Sequence, residues 1–322
     1  MGLILPTGVE ITVAICGSVY LISKWMRGKC RSKASLEGKT AIVTGATGGI
    51  GLYIAMDFAQ RKGRVILACR NMEKAKRVKD MIVSATKNSN VVIKQVDMSK
   101  MASVRKFAEE ILAEEDRVDI LVNNAGMITK KKTITEEGLE VIWATNHFGP
   151  FLLTNLLLDR IIKTGDGRIV NVTSNANMAG KIEFDNINAE KYFDQKSYHN
   201  SKLAMVLVTK ELSKRLQNTD TIVNTVHPGF VSTDVFRDMP IFLRMFVFTV
   251  GQLFAKVSPR EGAEPVIHCA VSEEAKGHNG AYYCDCKVYD HTMWINKLAY
   301  DEGLAKKVWD MSERLTGLGN TN

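Results

Sequence analysis

The sequence of 322 residues is poor in proline and cysteine, with six of each. So few prolines argue against a proline-rich linker. The cysteines stand at 16, 30, 69, 269, 284 and 286, too few and too scattered for a disulfide framework. Cys284 and Cys286 form a C-x-C, but no second Cys or His pair follows at zinc spacing. Reduced thiols and no metal are expected. A strongly basic body is also missing. The formal charge is +8, but half of it lies in residues 1–34, where Lys24, Arg27, Lys29, Arg31 and Lys33 face a single acid, Glu10. That distribution speaks against a nucleic-acid surface, which needs a basic face on the folded domain. Hydrophobic content of 45% and charged content of 24% exclude wholesale disorder.

The N-terminus lacks the marks of a leader. Positive charges follow the apolar stretch instead of preceding it, unlike a secretory signal. Pro6 stands where a myristoylation motif wants Ser or Thr. Residues 3–23 are mostly apolar, with Glu10 interrupting them and twelve unbroken residues from 11 to 22. A membrane anchor is expected, either a tilted span or a shallow insertion. The basic run 24–33 would hold the rest on the cytoplasmic side. The competing reading is a buried N-terminal helix.

From Leu36 strand-like and helix-like patterns alternate. Segments 40–44, 64–69, 91–97, 118–123, 167–173 and 221–227 read as strands. Segments 49–62, 72–89, 102–115, 137–162 and 198–216 read as helices, with Ile50, Ile54 and Phe58 marking one helix face. Strands separated by helices mean βαβ units and a parallel sheet buried on both faces. No repeat or long linker divides this body. The expected fold is α/β: a single doubly wound, Rossmann-like domain over 36–322, preceded by an anchor and basic flank over 1–35. The sequon Asn171-Val172-Thr173 falls inside a predicted buried strand and is disregarded as a glycosylation site.

The first strand ends in Thr44-Gly45-Ala46-Thr47-Gly48-Gly49-Ile50-Gly51, and a helix starts there. Glycine is needed where a Cβ would block close approach of backbone to a pyrophosphate, and the helix N-terminus offers oriented N–H groups to the anion. This T-G-x-x-x-G-I-G spacing resembles the short-chain dehydrogenase/reductase family. Further matches follow in that family's order: Asn123-Asn124-Ala125-Gly126, Asn146, Ser174, Tyr198-x-x-Ser201-Lys202 and Pro228-Gly229. The resemblance covers about residues 37–275. Four of the eight tyrosines (20, 192, 198 and 283) have Lys at i+4, but only Tyr198 begins an amphipathic helix.

The resemblance implies an oxidoreductase with a catalytic set of Asn146, Ser174, Tyr198 and Lys202. Hydride transfer to a carbonyl builds charge on oxygen, which must be protonated. Free tyrosine, with a pKa near 10, is too weak an acid to shuttle that proton well at neutral pH. A nearby ammonium lowers that value. By resemblance Lys202 supplies it and binds the nicotinamide ribose, and Asn146 positions a proton-relay water. Ser174 and Tyr198 would contact the substrate oxygen. The implied cofactor contacts are Gly45, Thr47, Gly49, Ile50, Gly51, Asp97, Met98, Asn124, Ala125, Gly126, Tyr198, Lys202, Pro228, Gly229 and Thr233. Arg70 and Asn71 end the second strand, where a basic residue meets the 2′-phosphate, so NADP(H) is favoured over NAD(H).

Ser174 and Tyr198 are 24 residues apart, a long insert that resembles the retinol dehydrogenase branch. Thr173 and Asn177 depart from that branch's pattern. The apolar, Phe- and Met-rich stretch around 236–258 is expected to be a substrate lid, which suits a lipophilic carbonyl. By resemblance the substrate is a retinoid, with hydroxysteroids and fatty aldehydes as alternatives. The expected place is the endoplasmic reticulum membrane, with mitochondrial or lipid-droplet membranes and a homodimer left open. A non-catalytic nucleotide-binding scaffold is the competing function class.

Overall fold

Strand 40–44 places Ala41 and Val43 on one face of a sheet and Ile42 on the other, all buried. The same alternation recurs with Val65 and Leu67 against Ile66, and with Val170 against Ile169. Apolar side chains on both faces demand cover on both faces, which is what turns these runs into a parallel sheet between two helical layers. The computed structural model describes residues 28–191, 193, 196–229, 258–289 and 295–318.

The strands are β1 (Thr40–Thr44), β2 (Arg64–Cys69), β3 (Val91–Gln95), β4 (Ile120–Asn123), β5 (Arg168–Val172), β6 (Ile222–His227), β7 (Tyr282–Cys284) and β8 (Lys287–Val288). Their order across the sheet is β3-β2-β1-β4-β5-β6-β7-β8. All pairs are parallel except β7 with β8. The helices are α1 (Gly49–Gln60), α2 (Met72–Thr86), α3 (Met101–Glu114), the short α4 (Val141–Trp143), α5 (Gly149–Ile162), α6 (Lys196–Arg215), α7 (Pro259–Val271) and α8 (Glu302–Thr316). One core packs Ile42, Ile66, Leu121 and Ile169 against Phe107 of α3, Leu157 of α5, Leu207 of α6 and Trp309 of α8. The other packs Val43, Leu67, Val122 and Val170 against Phe58 of α1, Ile82 of α2 and Val266 of α7. Each such buried side chain contributes about 1.5–3 kcal/mol. The doubly wound, Rossmann-like expectation holds, with one antiparallel edge strand added.

Strand order reverses between β1 and β4. In a doubly wound sheet the crevice outside the C-terminal ends of those strands receives the ligand. The register sets Val43 opposite both Leu67 and Val122, so the glycine-rich turn after β1 and the Asn124–Gly126 turn after β4 emerge side by side.

Some elements differ from expectation. The helix expected over 137–162 begins at Val141, because Gly138 adopts a φ of +79° and Glu140 turns its carboxylate onto the N–H groups of Ile142 and Trp143. It then contains a π-helical turn, Ala144–Phe148. Elements β7, β8, α7 and α8 were not expected.

The membrane anchor is corrected. Among the described residues no helix is long and apolar enough to cross a membrane. The apolar α1 and α5 have 12 and 14 residues, about 18 and 21 Å against the roughly 30 Å of hydrocarbon. The longer α6 carries Lys202, Lys210, Glu211 and Lys214. The apolar run that suggested an anchor lies within residues 1–27, outside the described residues. Where the basic flank is described, it is a strap on the domain: Cys30 N–H donates to Glu264 (2.8 Å), and Arg61 donates to the Ser32 and Ala34 carbonyls (2.9 Å each). The membrane as partner, the cytoplasm-facing orientation and the endoplasmic reticulum, mitochondrial and lipid-droplet assignments fall with the anchor. The lid at 236–258 lies outside the described residues, save Ser258, and so does Thr233.

Candidate active site

The glycine-rich turn is built around close approach. Gly45 and Gly49 have φ of +69° and +55°, in the left-handed region that disfavours side chains. A Cβ on Gly51 would lie 2.5 Å from Asn124 Nδ2 and 2.6 Å from the Gly45 carbonyl oxygen. The turn is tied to the β4 end by Thr44, whose hydroxyl accepts from the N–H groups of Asn124 and Ala125 at 3.0 Å each. Asn124 Nδ2 donates back to the Thr44 carbonyl at 2.8 Å. Cys69, at the end of β2, accepts from the N–H groups of Ala46 and Thr47, and burial pushes its thiol up to about 11. Neither Thr44 nor Cys69 was expected to matter; the Thr-Gly start of the motif was the available signal.

Helix α1 starts without a cap. Gly48 offers no side chain, and the first turn holds no acid. Four other helix starts are satisfied by protein side chains: α2 by Asn71, α7 by Ser258, α8 by Asp301, and the first N–H groups of α3 by the Glu137 carboxylate. A Cβ placed at Gly48 would meet no protein atom within 4 Å. Uncapped N–H groups facing open space beside glycines suit a pyrophosphate. The residues present therefore fit a dinucleotide.

Arg70 and Asn71 follow β2. The Arg70 guanidinium is 75% exposed and lies 4.0 Å from Asp97 Oδ2. Asp97 Oδ1 accepts from Ser99 N–H (3.0 Å) and Ser99 Oγ (2.7 Å). Asn71 spends its Oδ1 on capping α2. Met98 is buried in the core, so contacts beyond the protein fall to its main chain. Pro228 is buried after β6, and Gly229 has a φ of +89°.

The second cluster gathers at the end of β5. Ser174 starts a 3₁₀ turn, Asn175–Ala179, and its hydroxyl bonds to the Tyr198 phenol. Tyr198 and Lys202 share a face of α6, with Lys202 Nζ 5.8 Å from the Tyr198 ring centroid. Lys202 is held at both ends: Nζ donates to the Val172 carbonyl at 3.1 Å, and its own carbonyl accepts from Thr173 Oγ1 at 3.0 Å. Thr173, a departure in the sequence, is thus a fastener between β5 and α6. Burial lowers the Lys202 ammonium to about 8. Burial also raises the Tyr198 phenol, opposed only by the Ser174 hydrogen bond. The expected lowering of Tyr198 by Lys202 is not what this geometry produces, because desolvation outweighs a charge at that distance.

Asn146 sits in the π-helical turn, a local form frequent at functional sites. Its Oδ1 accepts from Met127 N–H at 2.8 Å, and its Nδ2 donates to the Met127 carbonyl (2.9 Å) and to Ser201 Oγ (3.2 Å). Ser201 in turn donates to the Tyr198 carbonyl at 2.8 Å. Gly126 completes the corner, since a Cβ there would lie 3.4 Å from Asn146 Oδ1 and 3.5 Å from Lys202 Nζ. The π turn is anchored from behind by His147, whose Nε2 bonds to Ser312 Oγ of α8 at 2.7 Å and which burial pushes down to about 3.

All four expected catalytic residues therefore meet at the C-terminal ends of the central strands, beside the glycine-rich turn. Tyr283, another Tyr with Lys at i+4, lies in β7 and bonds to His278 Nδ1 at 2.9 Å, away from them. Asn171 is buried in β5, bonded to Asn123 and Thr209.

Comparison with known proteins agrees with this geometry. Residues 39–241 match the short chain dehydrogenase family. Human retinol dehydrogenase 13 is 41% identical over 321 residues, which is 98% of this chain and 95% of that protein. Human retinol dehydrogenase 11 is 39% identical over 90% of both chains. A candidate NAD(P) dependent gluconate 5-dehydrogenase from Beutenbergia cavernae, solved with bound NADP at low occupancy, aligns with a TM-score of 0.64. It is 25% identical, over 78% of this chain and 96% of its own. The glycine-rich turn, the Ser174–Tyr198–Lys202 corner and these relatives lead to one conclusion: the chain belongs to the short-chain dehydrogenase family and is an oxidoreductase related to the retinol dehydrogenases.

Proposed function

We propose that the chain interconverts lipophilic alcohols and their aldehydes or ketones with NADP(H), retinol and retinal being the leading pair. The observation that carries this reading is the convergence of Ser174, Tyr198 and Lys202 beside an uncapped, glycine-lined helix start. When bound, the nicotinamide supplies or accepts the hydride at the reacting carbon. Ser174 Oγ would hold the substrate oxygen against the Tyr198 phenol. Tyr198 would give its proton to that oxygen in reduction and take it back in oxidation. Lys202 would stabilise the phenolate and bind the ribose hydroxyls. The Asn146 side chain is spent on Met127 and Ser201, so a water held there would rest on its main-chain carbonyl.

The preference for NADP(H) rests on Arg70, which is exposed at the β2 end where a 2′-phosphate would lie. The retinoid preference rests on similarity to retinol dehydrogenases and on the apolar composition of residues 239–248. Residues from 36 onward are proposed to form one oxidoreductase domain. The test is cofactor consumption by purified protein, with NADPH against NADH, over retinal, ketosteroids and long-chain aldehydes. Turnover with NADPH and retinal is expected. Turnover only with steroid or fatty carbonyls would move the substrate class. No turnover with any of them, unchanged by Tyr198→Phe, would reject the enzyme reading.

A further inference from the structure

Asn177 has no part in the reaction described above, yet it is fully buried and fully bonded. Its Nδ2 donates to the Ser174 carbonyl at 2.8 Å and to the Tyr282 phenol oxygen at 3.2 Å. Its Oδ1 accepts from Asn296 N–H at 3.1 Å. Asn296 Nδ2 lies within 2.8–3.2 Å of the carbonyls of Asn177, Met178 and Gly180. From β6, His227 Nδ1 accepts from Asn175 N–H at 3.3 Å.

A short 3₁₀ turn needs none of this to close. Its own bonds are present, from Asn177 N–H to the Ser174 carbonyl (3.0 Å) and from Gly180 N–H to the Asn177 carbonyl (2.9 Å). The additional bonds come from β6, β7 and the segment before the 3₁₀ helix Lys297–Tyr300, three places remote in sequence. They converge on the turn whose first residue is Ser174. The hydroxyl of that residue is itself oriented, accepting from Ala176 N–H at 3.2 Å, donating to Asn175 Oδ1 at 3.3 Å and bonding to Tyr198. A hydroxyl that must serve one phenol and one substrate oxygen tolerates little displacement, since a misplacement of about 1 Å can cost 10²-fold in rate.

We propose that Asn177, held by Asn296 and Tyr282, is a positioning residue that sets Ser174 against Tyr198. It acts through the Ser174 backbone and touches no reacting atom. The inference rests on the reading of Tyr198 as the acid–base group. The groups facing Tyr198 are Ser174 from the β5 end, Lys202 from its own helix and the neighbouring His199 ring at 6.2 Å. Of these, the Ser174 bond is the one that depends on Asn177.

The test follows NADP⁺-dependent alcohol oxidation by the full chain across pH. Asn177→Asp keeps the shape but loses both Nδ2 donations, and Asn296→Ala removes the clamp from the other side. In both, kcat is expected to fall about tenfold or more with KM and cofactor Kd nearly unchanged. The acidic limb of the kcat/KM profile should move up by about half a pH unit, because a displaced Ser174 stabilises the phenolate less. Asn177→Asp should also match Ser174→Ala in the direction of that movement. In Asn296→Ala, which adds no charge near the phenol, a purely structural role would lower the yield of active enzyme and leave the limb in place. An unmoved limb in both variants, at any kcat, overturns the proposal. If Asn177→Asp does not fold, the limb of Asn296→Ala decides. Turnover retained in Tyr198→Phe breaks the underlying reading instead. A limb moved by Ser174→Ala but not by the clamp variants breaks this inference alone.

Discussion

The turn after β1 and the corner after β5 lie at the same, C-terminal, end of the parallel strands and are made by opposite means. After β1 side chains are withheld: Gly45 and Gly49 take left-handed backbone, Gly51 leaves room for Asn124, and α1 starts uncapped. After β5 side chains are added and cross-bonded: Thr173 to Lys202, Asn146 to Ser201, Asn177 to Ser174 and Tyr282. The first arrangement leaves backbone N–H groups for an anion that is already charged, so little needs tuning. In the proposed reaction the second would hold a proton donor in register with a substrate oxygen, and buried polar groups can do that only if each has a partner.

The contrast can be broken most strongly at Tyr198. Tyr198→Phe should lower turnover by about 10²–10⁴-fold while NADPH binding, followed by quenching of intrinsic fluorescence, stays within a few-fold. Loss of binding as well would mean the two corners are not separable.

Lys202 separates function from stability. Burial holds it at about 8, below the ordinary 10.5. Between those values the folded chain binds fewer protons than the unfolded chain, so stability rises with pH across that window. Below about pH 8 the whole burial cost applies, on the order of 3 kcal/mol at most. Lys202→Met is expected to lose most turnover yet melt at higher temperature at pH 7, with its stability advantage shrinking as pH rises from 8 to 10. Urea melts at both ends of that range measure it. A variant less stable at pH 7 would show that the Val172 bond outweighs desolvation.

The glycine turn should respond in the reverse sense. Gly51→Ala forces a Cβ to 2.6 Å from the Gly45 carbonyl oxygen, which should cost about 1–3 kcal/mol of stability in thermal denaturation. Gly48→Ala, with an extended φ of 175° and open space, should leave stability within about 0.5 kcal/mol and weaken only NADPH binding.

The smallest effect is expected at Arg70, where the guanidinium is exposed and its contact with Asp97 is 4.0 Å long. Arg70→Ala should raise KM for NADPH about tenfold, the worth of one charge-assisted hydrogen bond, and leave KM for NADH unchanged. Equal effects on both cofactors would remove the 2′-phosphate assignment.

Legibility in the sequence follows the same divide. The turn after β1 is contiguous, and each glycine in it has a local reason, so its position and its helix could be read directly. Tyr198 and Lys202 were legible because, of the four Tyr–Lys pairs at i and i+4, only theirs opens an amphipathic helix. The clamp on Ser174 was not, because Asn177, Tyr282 and Asn296 are brought together by the chain's path through β6 and β7. The three-residue β7 is too short to show a period, and its place is set by pairing with β6, 57 residues earlier in the chain (Tyr282 opposite Thr225). The anchor expectation came from the apolar stretch 3–23 followed directly by the basic run 24–33, and no described helix supports a span.

The amino-acid sequence by itself determined the six parallel strands β1 to β6, their two-sided burial, the glycine-lined turn and, through the ordered family motifs, the identities of the four clustered polar residues. Local patterns suffice for the strands and the turn, since strand and helix periods and close-approach glycines act over a few residues, whereas Asn146 and Ser174 were picked out by the family resemblance. Only the tertiary structure decided how those polar groups are held, that desolvation dominates both Tyr198 and Lys202, and that Asn146 is already committed to Met127 and Ser201. Those properties depend on burial and on partners from distant strands, and both exist only once the two helical layers have closed over the sheet.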